Sequence, residues 1–103
     1  MCGLTGFFDP ERNPPADRQG RIRAMTASLH HRGPDAKGIW VGDRIALGHR
    51  RLAIVDLSEA GAQPMASACG RYVIAFNGEI YNHTDLCLSL ARPDRRKPRI
   101  RWR

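Results

Sequence analysis

Apolar residues recur along this chain in two rhythms, and the rhythms divide it into elements. Over 3–9, GLTGFFD, small or polar positions alternate with apolar ones, which predicts a short strand with Leu4 and Phe8 on one face. The sequence PERNPP at 10–15 interrupts it as a loop. The spacing then lengthens. Ile22, Met25 and Leu29 recur at helical intervals, predicting a helix capped by Asp17 that runs to about His31 and stops at Gly33-Pro34. Strand signals follow. GIWV and RIALGH, joined through Gly42-Asp43, predict a hairpin with a two-residue turn, and RLAIVD at 51–56 is a further β-branched, apolar run. SEAGAQP is rich in turn formers. RYVIAF at 71–76, Asn77-Gly78 and EIYN at 79–82 carry the strongest hairpin signal, because Asn-Gly suits a type I′ turn. Asn82 or Thr84 is positioned to cap a last helix through Leu86, Leu88 and Leu90, which Pro93 ends. No segment repeats.

Composition narrows the function classes. A length of 103 residues allows one small domain, and 42% hydrophobic residues supply a modest core. No apolar run approaches a membrane span, and the start lacks a basic segment followed by an apolar one; the expectation is a cytoplasmic protein with no membrane partner. Cys2, Cys69 and Cys87 form no CxxC pair, and His30, His31, His49 and His83 show no zinc spacing. Reduced thiols and no metal site are expected. The net charge of +7 changes meaning once located: seven Lys or Arg and one Asp fall in 92–103, against ten basic and nine acidic residues in 1–91. Residues 1–87 therefore read as the domain body, and 88–103 as a divergent, arginine-rich tail expected to be disordered. Such a tail can touch phosphates, but beyond Trp102 it lacks interleaved aromatics, so no specific nucleic-acid partner is expected.

The candidate chemistry begins at MCG. A free thiol has a pKa of about 8.5 and needs a base to attack. If Met1 is removed, Cys2 carries a free α-amine with a pKa of roughly 7.7–8.0, covalently fixed beside its own sulfur and poised as a general base. The plain alternative is a cysteine that follows the initiator by chance. Asn77-Gly78 presents a side-chain amide and a backbone N–H, which suits a developing oxyanion; it is also simply what a hairpin turn uses. Arg50 and Arg51 lie on a strand and point to opposite faces. One inward guanidinium would match a substrate carboxylate, while a solvated pair is the alternative. HHRGPD at 30–35 reads as a helix stop with a turn. Glu79 either meets a substrate amine or decorates the hairpin.

Taken together and in order, MCGLTGFFD, HHRGPDAKG, LGHRRLAIVD, AQPM and FNGEIYNH resemble the N-terminal glutaminase domain of glutamine-hydrolysing asparagine synthetases, a class II, N-terminal-nucleophile (Ntn-hydrolase) glutamine amidotransferase. The resemblance covers residues 2 to about 86. It implies an α+β fold, the four-layer αββα sandwich with antiparallel sheets, of which this chain supplies about the first half. It also implies roles. Cys2 would be the nucleophile on the glutamine amide and, through its α-amine, the base. Asn77 and Gly78 would form the oxyanion hole. Arg51 would hold the glutamine α-carboxylate, with Ile54 and Val55 lining the same pocket and Glu79 at the amino end.

The chain departs from the family after Leu86. CLSLARPDRRKPRIRWR does not match the acidic Ser-Asp-x-Glu type segment whose Asp grips the substrate amine. The expectation is a truncated glutaminase, a fragment of an asparagine-biosynthetic ligase, inactive or nearly so as it stands. No cofactor belongs to this part; ATP and magnesium are implied only for an absent synthetase domain. Two alternatives remain open: an amidotransferase of the same class acting on another acceptor, such as a sugar or cell-surface precursor, and a non-catalytic remnant.

Overall fold

A computed structural model describes residues 1–53 and 59–91. Its centre is a three-stranded antiparallel sheet ordered β1-β3-β2, with β1 at Gly3–Phe8, β2 at Ala36–Val41 and β3 at Ile45–Arg51. β3 pairs with both neighbours, Gly3 opposite Arg50 and Phe8 opposite Ile45 on one side, Ala36 opposite Arg51 and Val41 opposite Ala46 on the other. The first helix, α1 at Pro15–Ser28, lies across one face of this sheet. A second, two-stranded ladder joins β4 (Met65–Ala66) to β5 (Val73–Ile74), and α2 spans His83–Ala91. Among the described residues the fold is a small α+β domain with two antiparallel sheets and two α-helices.

The helical period was legible, and its start is set differently from expectation. Pro14 is the N-cap and Pro15 occupies the first turn, where a missing N–H costs nothing. Asp17 sits inside that turn, its N–H bonded to the Pro14 carbonyl, rather than capping it. The face turned to the sheet carries Ile22, Met25 and Leu29 as the spacing predicts, but buried polar groups share it. Arg18 pairs with Asp9 at 3.4 Å, both almost fully buried, and Asn13 donates its N–H and side-chain amide to the two Asp9 oxygens at 3.1 and 3.0 Å. A buried pair of this kind fixes geometry more surely than it adds net stability. Here it ties the loop after β1 to the first turn of α1.

Close approach of helix to sheet occurs at Gly48. A Cβ built there would sit 2.0 Å from Thr26 Oγ1 and 3.1 Å from Thr5 Cγ2, so only a glycine lets α1 settle. Thr26 returns its hydroxyl proton to the Ile22 carbonyl at 2.7 Å and leaves nothing unpaired. The opposite face of the sheet is treated unevenly. At one end, residues 62–64 and 76 lie over Gly38 and His49. At the other, Leu4, Phe8 and Ile45 remain 48%, 60% and 44% exposed. Leu4 and Phe8 share a face, as the alternation predicts, and it is this uncovered one.

Two hairpin expectations are corrected. β2 and β3 do form a hairpin, but Gly42 bonds back to Ile45, so the two turn residues are Asp43 and Arg44. The indole of Trp40 reaches within 2.3 Å of where a Gly42 Cβ would lie, which reserves that position for glycine beside the turn. The Asn77-Gly78 hairpin does not form. β5 contains only Val73–Ile74 and pairs with β4, and 79–82 contain no strand. RLAIVD is not a separate strand at its start: Arg51 closes β3, and residues 54–58 lie outside the described residues, as does the tail from 92. α2 begins at His83, and its Leu86, Leu88 and Leu90 are exposed. No helix among the described residues is long and apolar enough to cross a membrane.

Replacing Gly48 by Ala is expected to cost about 1–3 kcal/mol, the usual penalty for forcing atoms into a filled interior. The urea midpoint followed by circular dichroism should fall, and Thr26→Ala added to Gly48→Ala should recover part of the loss.

Candidate active site

The start of the chain is ordered because β1 begins almost at once. Gly3 is already paired with Arg50, leaving Cys2 one residue beyond the ladder. The Leu52 N–H donates to Cys2 Sγ at 3.4 Å, and the thiol points back at the Leu52 carbonyl, 3.8 Å away. The sulfur is thus positioned by backbone, and by the residue that follows the predicted arginine. That segment is itself braced by the HHRGPD motif. Asp35 donates its N–H to the Arg51 carbonyl at 3.1 Å and accepts the Ala53 N–H on Oδ2 at 2.7 Å. A Cβ at Gly33 would lie 2.5 Å from the Arg50 carbonyl, so the turn can press against the strand only as glycine.

Asn77 serves no hairpin. A type I′ turn needs positive φ at both central residues, and neither Asn77 nor Gly78 has it. Instead Asn77 Nδ2 donates to the Cys2 carbonyl at 2.8 Å, joining residues 75 positions apart in the chain. Just before it, the Phe76 N–H donates to Gln63 Oε1 at 2.6 Å. The Phe76 ring folds back over Gly78, within 2.9 Å of where a Cβ would be. Asn77, Gly78 and Glu79 are all exposed, and the Glu79 carboxylate has no hydrogen bond or ion pair among the described residues.

The adjacent arginines separate as alternation requires, but neither is a solvated arm. Arg50 is buried on the helix side, where its guanidinium meets His30 Nδ1. Arg51 is half-buried on the other face, its guanidinium beside Gly61. It lines a cavity of about 180 Å³ with Ala36, Gly38, His49, Gln63 and Pro64. His49 is only 2% exposed. Burial lowers its pKa from the ordinary 6.5, and the nearby Arg51 charge adds to that, while a hydrogen bond to the Phe76 backbone opposes it. Its Nε2 is buried with no partner among the described residues.

The structure therefore brings Cys2 and Asn77 into contact, places Gly78 and Glu79 on the same segment as Asn77, and sets Arg51 at the cavity. Ile54 and Val55 lie outside the described residues. Sequence reasoning missed Leu52, Asp35, His49 and Gln63. Leu52 acts through its backbone and so leaves no side-chain signature; the polar residues at 35 and 63 lay within motifs read as turns. Among the described residues no three His, Cys, Asp or Glu side chains are grouped to hold a metal ion.

A sequence model of the glutamine amidotransferase domain matches residues 1–98, and the chain belongs to that family. It is 43% identical over 88 residues to asparagine synthetase [glutamine-hydrolyzing] 3 of Bacillus subtilis, and 42% over 86 residues to asparagine synthetase B [glutamine-hydrolyzing] of Escherichia coli. Each match takes in 84% of this chain but only 14% and 15% of those relatives. A protein with another name, amidase chry2 of Gibberella zeae, is 38% identical over 93 residues, 81% of this chain and 14% of that protein. The chain thus spans about a seventh of the length of the relatives it matches.

The neutral, buried His49 makes stability depend on acid. The unfolded chain takes a proton near pH 6.5 while the folded chain resists it, so the His49 contribution is complete above 6.5 and is lost as pH falls through the lower folded value. Proton resonances of the His49 ring should titrate below 6.5 in the folded protein. In His49→Gln the fall in melting temperature between pH 7 and 5 should be shallower.

Proposed function

We propose that these residues are the nucleophile-bearing part of a site that hydrolyses the side-chain amide of glutamine, the first part of a four-layer αββα sandwich. The observation that carries this is the junction at Cys2: a sulfur held by the Leu52 backbone and a carbonyl held by Asn77 at 2.8 Å. Met1 is 77% exposed, so its peptide bond is open to an aminopeptidase. Its removal turns the Cys2 nitrogen from an amide into an amine, the only form that can accept a proton.

The reaction follows from that amine. Cys2 Sγ attacks the side-chain carbonyl carbon of glutamine, and the thiol proton passes to the α-amine. Asn77 Nδ2 and the Gly78 N–H receive the negative charge that develops on oxygen. The carbon–nitrogen bond then breaks as the ammonium returns its proton to the leaving nitrogen, releasing ammonia and leaving a thioester. Water attacks the thioester, its proton going to the amine; the carbon–sulfur bond breaks, and glutamate departs. Arg51 would fix the substrate by its α-carboxylate with a planar, two-toothed contact. Ile54 and Val55 would line that pocket, and Glu79 would face the substrate amine.

The ammonia would serve asparagine synthesis, the reading the names of the bacterial relatives favour, in a cytoplasmic setting. Transfer to another acceptor is supported by the amidase among the relatives, since the acceptor would be chosen outside this segment. ATP and magnesium would be needed only there, to activate the acceptor. The segment alone turns over glutamine slowly or not at all: Asn77, Gly78 and Glu79 are exposed, and the sequence after Leu86 departs from the acidic segment that the resemblance implies for the substrate amine.

Three measurements test this. The purified chain should lack the initiator methionine by intact mass, and it should release glutamate from glutamine no faster than Cys2→Ala. A γ-glutamyl chloromethyl ketone should nevertheless alkylate Cys2 in preference to Cys69 and Cys87. Arg51→Ala should slow that labelling about tenfold, the worth of one charged hydrogen bond. Equal labelling of all three thiols would defeat the proposal.

A further inference from the structure

The reach of Asn77 to Cys2 needs an explanation, because its segment belongs to no sheet. Residues 75–80 contain no strand, and Phe76 through Ile80 are exposed. An exposed, unpaired stretch of backbone is ordinarily free to wander. Yet Asn77 Nδ2 lies 2.8 Å from the Cys2 carbonyl. Something must hold its neighbour.

One hydrogen bond does so, and it acts on Phe76. The Phe76 N–H is taken by Gln63 Oε1 at 2.6 Å. Gln63 is in turn seated by its own backbone. A Cβ at Gly38 would stand 1.8 Å from the Gln63 carbonyl oxygen and 3.2 Å from Pro64 Cδ, so β2 and the Gln63 backbone are in direct contact with no side chain between them. The sequence of contacts runs from β2 at Gly38, through the Gln63 backbone and side chain, to Phe76, and from there to Asn77 and Cys2.

We propose that Gln63 is a positioning residue for the Cys2 site: braced against Gly38, it fixes Phe76 and so sets the place of the Asn77 amide. This rests on the reading of Asn77 as an oxyanion donor, and it adds a residue that touches neither the sulfur nor the substrate. The chemistry required of Gln63 is narrow. It must present an acceptor oxygen to an N–H. Methionine matches its length and fills its space but offers only a weak acceptor.

The test is a mutant cycle on the full chain, read by the rate at which a γ-glutamyl chloromethyl ketone alkylates Cys2 relative to iodoacetamide, which needs no oxyanion donor placed for a γ-glutamyl group. Gln63→Met should lower that ratio about tenfold in the native background, as expected for a lost hydrogen bond acting on a placed donor. In an Asn77→Ala background it should change the ratio less than about twofold, because the group it positions is gone. Gly38→Ala, which displaces the Gln63 backbone, should reproduce Gln63→Met. An equal loss in both backgrounds, or none in either, overturns the proposal. Amide exchange at Phe76, followed by NMR, separates this from the reading beneath it. If the ketone shows no preference for Cys2 even in the unmodified chain, the proposed function fails. The positioning role then stands or falls on whether Gln63→Met speeds Phe76 exchange and shifts the Asn77 side-chain amide resonances.

Discussion

The pairing of β1 with β3 is the constraint on which the rest depends. A chain end usually frays, because its last residues have few bonds to lose. Here six consecutive residues, Gly3 to Phe8, are laddered to the central strand within two residues of the start. That ladder fixes where Cys2 emerges, and β3 then supplies the next residue along, Leu52, as the sulfur's partner. A thiol carried on a loop would need side chains to aim it. This one is aimed by strand register.

β3 also divides labour between its two faces. Toward α1 it presents Ala46, Gly48 and Arg50, and the packing there is tight enough that Gly48 is irreplaceable at its contact with Thr26. Toward the other side it presents His49 and Arg51, which line a small cavity with residues 62–64. Structural and chemical groups thus alternate along one strand. Asp35 and Gly33 secure its end, so the HHRGPD motif contributes by shaping the strand that lines the cavity rather than by entering it.

Much of this frame was legible in the sequence. The period of Ile22, Met25 and Leu29 announced α1, and the alternation around Gly42 announced the β2–β3 hairpin to within a residue. The opposite orientation of Arg50 and Arg51 followed from the pleat. What the sequence concealed were effects of contact. Asn77-Gly78 looks like a turn because local preferences favour one, and only a partner 75 residues away, the Cys2 carbonyl, shows the side chain to be otherwise engaged. Leu52 reads only as one residue of the apolar RLAIVD run, while its contribution is a main-chain N–H. His49 and Gln63 carry no pattern of their own; their importance comes from being covered. The polar Arg18 and Asp9 were likewise unreadable as interior groups, since each becomes acceptable inside only through the other.

The placement of Cys2 one residue outside the ladder has a consequence for motion. Sheets come apart from their termini, and the Gly3–Arg50 pair is the first that can open. Opening it would cost the molecule little of its packed interior, yet it would release the thiol from Leu52 at once. The placing of the Cys2 thiol and the integrity of the fold are therefore governed by different free energies, and the smaller of the two belongs to a single terminal rung.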